Sequence, residues 1–308
     1  NVSRVNGLGI LYPVATVRGS LVFGIGFNRI HHYDDLMSFS GYSNYNNGME
    51  FPINTDGQLL YYGFNKDVER YEKIMSNGAR DLLTISFGIA LSPNLAGGIS
   101  VSKMKGLENY QQFPADFQSY EVFQSLKTKT EAWKLRGGVK YIYSPFQFGF
   151  SIALPYNVNV VENHGTQERL IFDNADYSDT LEFGYYDYKV QMPATMDLGI
   201  AFVTDLNLSF SIAYRLQDWS KMQFNLMDFS AQSEDYTIMS VENDLIEKEY
   251  RLVSQLRVGV EGLIPFSKTF GITVRSGMAF IPSAQQNDAT EKQIASFGLG
   301  LPIQRRII

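Results

Sequence analysis

The chain has 308 residues, a formal net charge of −6 and no cysteine, which removes disulfide frameworks, thiol chemistry and Cys-ligated zinc together. Its acidic balance and the lack of any Lys/Arg-rich run argue against a nucleic-acid partner. Hydrophobic residues make up 44% of the chain, yet the mean hydropathy is slightly negative, and without a run of about 18 apolar residues no membrane-spanning helix is expected.

Taken in chain order, about eleven strands are expected, near 7–14, 19–31, 81–91, 95–105, 129–143, 146–162, 185–203, 206–219, 245–263, 269–281 and 291–303. The signal is period-two alternation, which sends successive side chains to opposite faces of a sheet. Leu83, Ile85, Phe87, Ile89 and Leu91 alternate with Thr84, Ser86, Gly88 and Ala90. Leu206, Leu208, Phe210, Ile212, Tyr214 and Leu216 alternate with Asn207, Ser209, Ser211, Ala213, Arg215 and Gln217.

The connections alternate in kind. Short turns are expected at Thr16-Val17-Arg18, Ser92-Pro93-Asn94, Ser144-Pro145, Thr204-Asp205 and Pro265-Phe266-Ser267-Lys268. Long loops are expected near 32–80, 106–128, 163–184, 220–244 and 282–290. Turns sorted to one end and loops to the other, on strands of bilayer-crossing length, define an all-β fold: a transmembrane up-and-down antiparallel β-barrel, one domain over 1–308. A soluble β-sandwich shares the alternation, but its strands are shorter and its loops are not sorted by end. Bacterial barrels have an even strand count, and the final QRRII lacks an aromatic, so the barrel is expected to be incomplete at both ends.

The face opposite the apolar one is rich in Gly, Ser, Ala and Thr. It carries Arg136, Lys140, Lys189, Asp197, Arg215, Arg257, Glu261 and Arg275 at matching parity, as a polar lumen requires. Tyr12, Trp133, Tyr141, Tyr143, Tyr186, Tyr188 and Tyr214 fall on the lipid parity, and those near strand ends are girdle candidates. Arg136 and Arg215 are candidates to meet a ligand carboxylate, since a guanidinium offers a two-pronged donor. An ion-pair ladder that stiffens the barrel is the competing reading.

Val68, Tyr71, Ile74 and Met75 recur at near-helical spacing before Asn77-Gly78, so a short amphipathic helix is expected within 65–81. The segment His31-His32-Tyr33-Asp34-Asp35 invites a metal or hydrolase reading. Adjacent strand residues point apart, and catalytic groups gather from several strands, so a solvated loop start is expected, with no metal and no cofactor.

Several segments resemble the FadL/TodX family of outer-membrane transporters for hydrophobic compounds. The strongest is MPATMDLGIAFVTDLNLSFSIAYRLQDWSKMQFN, 192–225, with Asp218, Trp219 and Ser220 carrying the match. LRVGVEGLIPFSKTFGITVRSGMAFIPSA, 256–284, is similar, although Phe280-Ile281-Pro282-Ser283 departs from the family order. WKLRGGVKYIYSPFQFGFSIALP, 133–155, and LTISFGIALSPNLAGGISVSKMKG, 83–106, look like two further hairpins. The resemblance implies a monomeric barrel of fourteen strands in the outer membrane of a Gram-negative bacterium, among lipid and lipopolysaccharide. Its N-terminal hatch and terminal strands lie outside this sequence.

It further implies passive uptake of fatty acids or hydrocarbons, long-chain fatty acids first, with no enzymatic step. Ligand capture would involve Phe113, Phe117, Tyr120 and Phe123 with Leu170, Ile171 and Phe172. A sideways exit would open at a kink in strand 19–31, near Gly24 and Gly26. A general porin or structural barrel is the alternative class, and a hydrolase at the barrel rim a further one.

Overall fold

Long alternating strands need partners on both edges wherever water cannot reach the backbone, and pairing is what organises this chain. The protein was analysed as a computed structural model describing residues 5–16, 19–44, 50–55, 57–63, 68–116, 120–172, 175–204, 208–266 and 271–301. The strands are β1 Gly7–Val14, β2 Leu21–His32, β3 Asp35–Ser43, β4 Glu50–Thr55, β5 Gln58–Gly63, β6 Val68–Ala90, β7 Leu95–Asp116 and β8 Tyr120–Tyr143. They continue as β9 Phe146–Ala153, β10 Tyr156–Phe172, β11 Ala175–Met192, β12 Thr195–Val203, β13 Leu208–Asp218, β14 Gln223–Phe224, β15 Leu252–Pro265, β16 Gly271–Pro282 and β17 Glu291–Gly300. One helix, α1 Glu234–Glu249, precedes β15.

The strands form an antiparallel wall in the order β1-β2-β6-β7-β8-β9-β12-β13-β15-β16-β17. This is the barrel wall that the alternation predicts, and its apolar surface faces outward. Ile85, Ile99, Val139, Leu198, Ile200, Phe210 and Ile212 are all exposed. On β8 the outward rings Tyr143 and Trp133 are 63% and 62% exposed and bracket Val139 and Leu135. Between them the strand climbs roughly 33 Å, or about 25 Å along the axis of a tilted barrel, the usual height of an apolar band between aromatic girdles. Beyond Trp133 the outward residues are Glu131, Lys129 and Lys127.

The structure revises several elements. Segments 106–128 and 163–184, expected as loops, are strand: β7 and β8 pair out to Gln112↔Gln124, and β10 and β11 pair out to Phe172↔Ala175. Outside the lipid band a strand needs no apolar face, so its signature fades while its ladder continues. The expected helix within 65–81 is the first half of β6, held by β3 on one edge and β7 on the other. Gly78 there has φ +135°, and a Cβ would lie 2.0 Å from the Leu107 carbonyl oxygen, so glycine marks a close backbone approach rather than a helix stop.

Segment 32–80 also contains β3 and the β4–β5 hairpin. Segment 220–244 holds two 3-10 turns and most of α1, so strand begins at Leu252 and not at 245. Ser233 caps α1 by accepting from the Tyr236 amide at 3.1 Å. Glu234 and Asp235 lie in its first turn and Lys248 in its last, complementing the helix dipole.

Segments 146–162 and 185–203, read as single strands, are each interrupted at a proline. Ala153 faces Thr195 and Tyr156 faces Met192, so Leu154-Pro155 and Pro193-Ala194 sit opposite one another. Neither proline has an N–H to give the ladder. Against β8, pairing passes from Arg136↔Ala153 to Ala132↔Val158, which leaves one extra residue on the proline side, a bulge.

The bulge exchanges the two faces. Ser151, Ala153 and Asp197 are inward at odd positions, whereas Tyr156, Val158, Val160, Val190 and Met192 are inward at even ones. Lys189 therefore points away from the lumen, to Asp228 at 2.7 Å, and Tyr188 packs against the inner cluster; both differ from the sequence expectation. Because the chain lacks cysteine, single-cysteine spin labels report each face. A label at Leu198 should be oxygen-accessible from lipid, and one at Val190 shielded. A shielded label at 189 beside a lipid-exposed one at 190 would refute the change of face.

Candidate functional site

The exchanged faces place apolar side chains inside the wall. Met104, Ala132, Val158 and Val160 form a buried cluster, with Tyr156, Tyr188, Val190 and Met192 packed against it. All but Ala132 and Tyr188 border a cavity of about 460 Å³ that also meets Ile30, Arg80, Thr130, Lys134, Arg136, Arg215 and Trp219. That volume falls in the range of small-molecule sites, and its lining combines the apolar cluster with Arg80, Lys134, Arg136, Arg215, Thr130, Thr195 and Gln217.

One side of the cavity is set by a row across three strands: Arg80 on β6 faces Gly106 on β7, and Gly106 faces Thr130 on β8. Gly106 makes a notch there, since a Cβ would stand 2.2 Å from Thr130 Oγ1 and 3.5 Å from Arg80 Cγ. Arg80 Nε and Thr130 Oγ1 are both buried and make no hydrogen bond. The Arg80 guanidinium also lies over the Tyr33 ring at 5.7 Å. Buried polar atoms are rarely left unpaired, and each costs about 1–3 kcal/mol. Both residues border the cavity, and their unpaired groups suit a ligand that brings an oxygen acceptor.

The other end is closed by ions. Asp197 accepts from Arg136 Nη1 at 3.0 Å, from Arg215 Nε at 2.6 Å and Nη2 at 3.3 Å, and from Ser151 Oγ at 3.3 Å. Arg136 and Arg215 are thus committed to a carboxylate of the wall, as the ladder reading has it, while still bordering the cavity. Lys134 lies over the Tyr156 ring at 4.6 Å. Below, Asp197 borders a second cavity of about 500 Å³ whose surface includes Gly97, Gly98, Gly138, Gly149 and Gly199. The Arg136–Asp197–Arg215 bar therefore touches both spaces, the arginines bordering the first and the aspartate the glycine-lined one.

The remaining candidates sit as follows. β2 pairs without interruption through Gly24 and Gly26 on both edges, and its register slips instead between Arg29 and His31, at Ile30, a cavity residue. Phe117 lies outside the described residues. Phe113, Tyr120, Leu170, Ile171 and Phe172 have strand backbones, and their side chains lie outside the described part. The backbone register brings the two segments side by side, with Tyr120 opposite Leu170 and Phe123 opposite Gln167. His31 meets the Tyr33 ring edge-on at 4.7 Å, and His32 reaches Asn6 at 3.2 Å. Among the described residues no His/Asp/Glu group has metal-site geometry.

Arg80, Thr130, Gly106 and the inward valines were missed by reading sequence alone. The available signal was Pro155 and Pro193, since proline within an alternating run marks an interruption. Trp219, quoted for its motif, borders the cavity from a 3-10 turn capped by Asp218, which accepts from the Ser220 amide at 3.2 Å and its hydroxyl at 2.7 Å.

Fold and geometry together define a transmembrane β-barrel wall with a partly apolar cavity on its inner face. The fold is that of the FadL/TodX barrels. The structure is similar to that of the Pseudomonas putida toluene transporter TodX, with TM-score 0.52 and 12% identity over 95% of this chain and 72% of that one. It is also similar to a Pseudomonas aeruginosa FadL homologue, with TM-score 0.53 and 12% identity over 95% of this chain and 65% of that one. No protein-family model and no curated protein sequence matches it.

Replacing Asp197 by Ala should leave two facing guanidiniums uncompensated and cost about 1–3 kcal/mol. The expected readout is a lower midpoint for loss of heat-modifiable migration on gels, partly restored by adding Arg215→Met. An unchanged midpoint would rule out a structural role for the ion bar.

Proposed function

We propose that the protein is a channel in the outer membrane of a Gram-negative bacterium that takes up hydrophobic compounds by passive diffusion, with long-chain fatty acids as its first substrates. The reading rests on the cavity of about 460 Å³, whose walls are Met104, Val158, Val160, Val190 and Met192 and whose unpaired donors are Arg80 Nε and Thr130 Oγ1. A general porin keeps a polar, water-filled interior and has no use for an inward apolar wall. The shared fold with a toluene transporter and a FadL homologue supports hydrophobic cargo.

The unpaired donors favour acids over plain hydrocarbons. A carboxylate would accept from Arg80 and Thr130 in a charge-assisted contact, whereas a toluene-like ring leaves both atoms unsatisfied. First capture would occur where the β7–β8 and β10–β11 hairpins lie together, and would draw on Phe113, Phe117, Tyr120, Phe123, Leu170, Ile171 and Phe172. From there the solute descends to the cavity, passes the ion bar and reaches the glycine-lined space. Sideways release beside β2, the strand holding Gly24 and Gly26, belongs to the same proposal, as does action as a monomer.

Displacement of a fluorescent fatty-acid probe from the protein in mild detergent tests it. Oleate should displace the probe saturably, and Arg80→Leu with Thr130→Val should weaken oleate roughly tenfold to a hundredfold while a toluene competitor changes little. Equal weakening of both competitors would refute the headgroup assignment. Failure of both to displace the probe would refute selective hydrophobic uptake.

A further inference from the structure

We infer that the outer face of β7 and β8 carries a binding site for the phosphorylated glucosamine headgroup of lipopolysaccharide, built by Lys103, Lys105, Lys127 and Lys129. The inference rests on the outer-membrane placement proposed above and is independent of what the lumen carries.

Immediately beyond the apolar band, Arg29, Asp81, Lys105 and Glu131 stand in one cross-strand row on β2, β6, β7 and β8. At its β2 end Arg29 and Asp81 neutralise one another, with Nε 2.7 Å from Oδ1. Toward β8 the balance fails. Lys103 and Lys105 share the single carboxylate of Glu131, at 3.7 Å and 3.5 Å. The next outward positions of β8 are Lys129 and Lys127, facing Leu107 and Asn109. Both are exposed, and among the described residues neither has a carboxylate partner.

Four lysines and one carboxylate therefore follow one another on the outer faces of β7 and β8, on a chain whose net charge is −6. Clustered cations repel one another and lower stability unless an anion covers them. Depth identifies the anion. The Lys103 ammonium lies over the Trp133 ring at 5.4 Å, and exposed Trp rings mark the level of lipid headgroups. The patch is at the end of the barrel with the long hairpins, which in an outer membrane is the outer leaflet. The phosphates of that leaflet belong to lipopolysaccharide, and basic residues at headgroup level contribute appreciably to holding lipid phosphates.

Native mass spectrometry of the protein released from micelles, with bis-phosphorylated lipid A, its dephosphorylated form or phosphatidylglycerol added, tests the site. Lipid A should stay bound, removal of its phosphates should weaken it at least fivefold, and phosphatidylglycerol should compete poorly. The Lys127→Ala/Lys129→Ala variant should lose roughly tenfold, the Arg/Arg variant should retain binding, and Lys140→Ala in the lumen should change nothing. Equal retention of the dephosphorylated lipid, equal binding of phosphatidylglycerol, or an unaffected Ala/Ala variant with an intact β-sheet spectrum would each overturn the inference. Loss of oleate binding leaves this result unaltered, so the two readings fail separately.

Discussion

Within hydrocarbon every backbone N–H and C=O must find a partner in the protein, and the rest of this structure follows from how that demand is met or relaxed. Along most of the wall it is met by regular ladders, which fix the register and carry the alternating faces unchanged from strand to strand. At Leu154-Pro155 and Pro193-Ala194 it is relaxed, because two facing prolines withdraw donors and one residue bulges against β8. The break lies beside Leu135, whose carbonyl accepts from the Leu154 amide at 3.0 Å, so part of the loss is recovered. Beyond it the inward set becomes Tyr156, Val158 and Val160, and a polar lumen acquires an apolar compartment.

That compartment depends equally on what bounds it. The ion bar at its inner end keeps two arginines in place through one aspartate, so charge near the apolar wall is mostly internally compensated. Arg80 is held differently: its stem lies over the notch at Gly106, and its Nε makes no hydrogen bond. Within one cavity, two arginines are thus tied to a carboxylate of the wall while Arg80 meets the Tyr33 ring.

The barrel class, the wall strands and the sorting of short turns to one end were legible because lipid enforces strict alternation. Outside the band that enforcement ends. The far halves of β7, β8, β10 and β11 therefore read as loops, and Val68–Ala79 at the start of β6 mimicked a helix through Val68, Tyr71, Ile74 and Met75. The cavity was illegible for a different reason. Its residues carry the same alternation as the lipid face, and only a one-residue bulge at proline reverses which side they serve. The basic lumen residues were legible as a group, whereas the partner of Arg136 and Arg215, Asp197 on β12, depended on strand order. The helix α1 was readable in principle from Ser233, its acidic first turn and sixteen residues without Gly or Pro.

Under the uptake proposed above, the ion bar would also bear on the size of solute that passes easily. Asp197 borders the glycine-lined space, and the two arginines that it pairs with border the other. A long flexible solute can keep its tail in the apolar compartment while its leading end enters the glycine-lined one, so it crosses the bar without ever being wholly detached. A compact ring must leave one compartment entirely before gaining the other. On that proposal the ion bar would be a threshold for short cargo and a handrail for long cargo, and chain length rather than greasiness alone would set the order of transit.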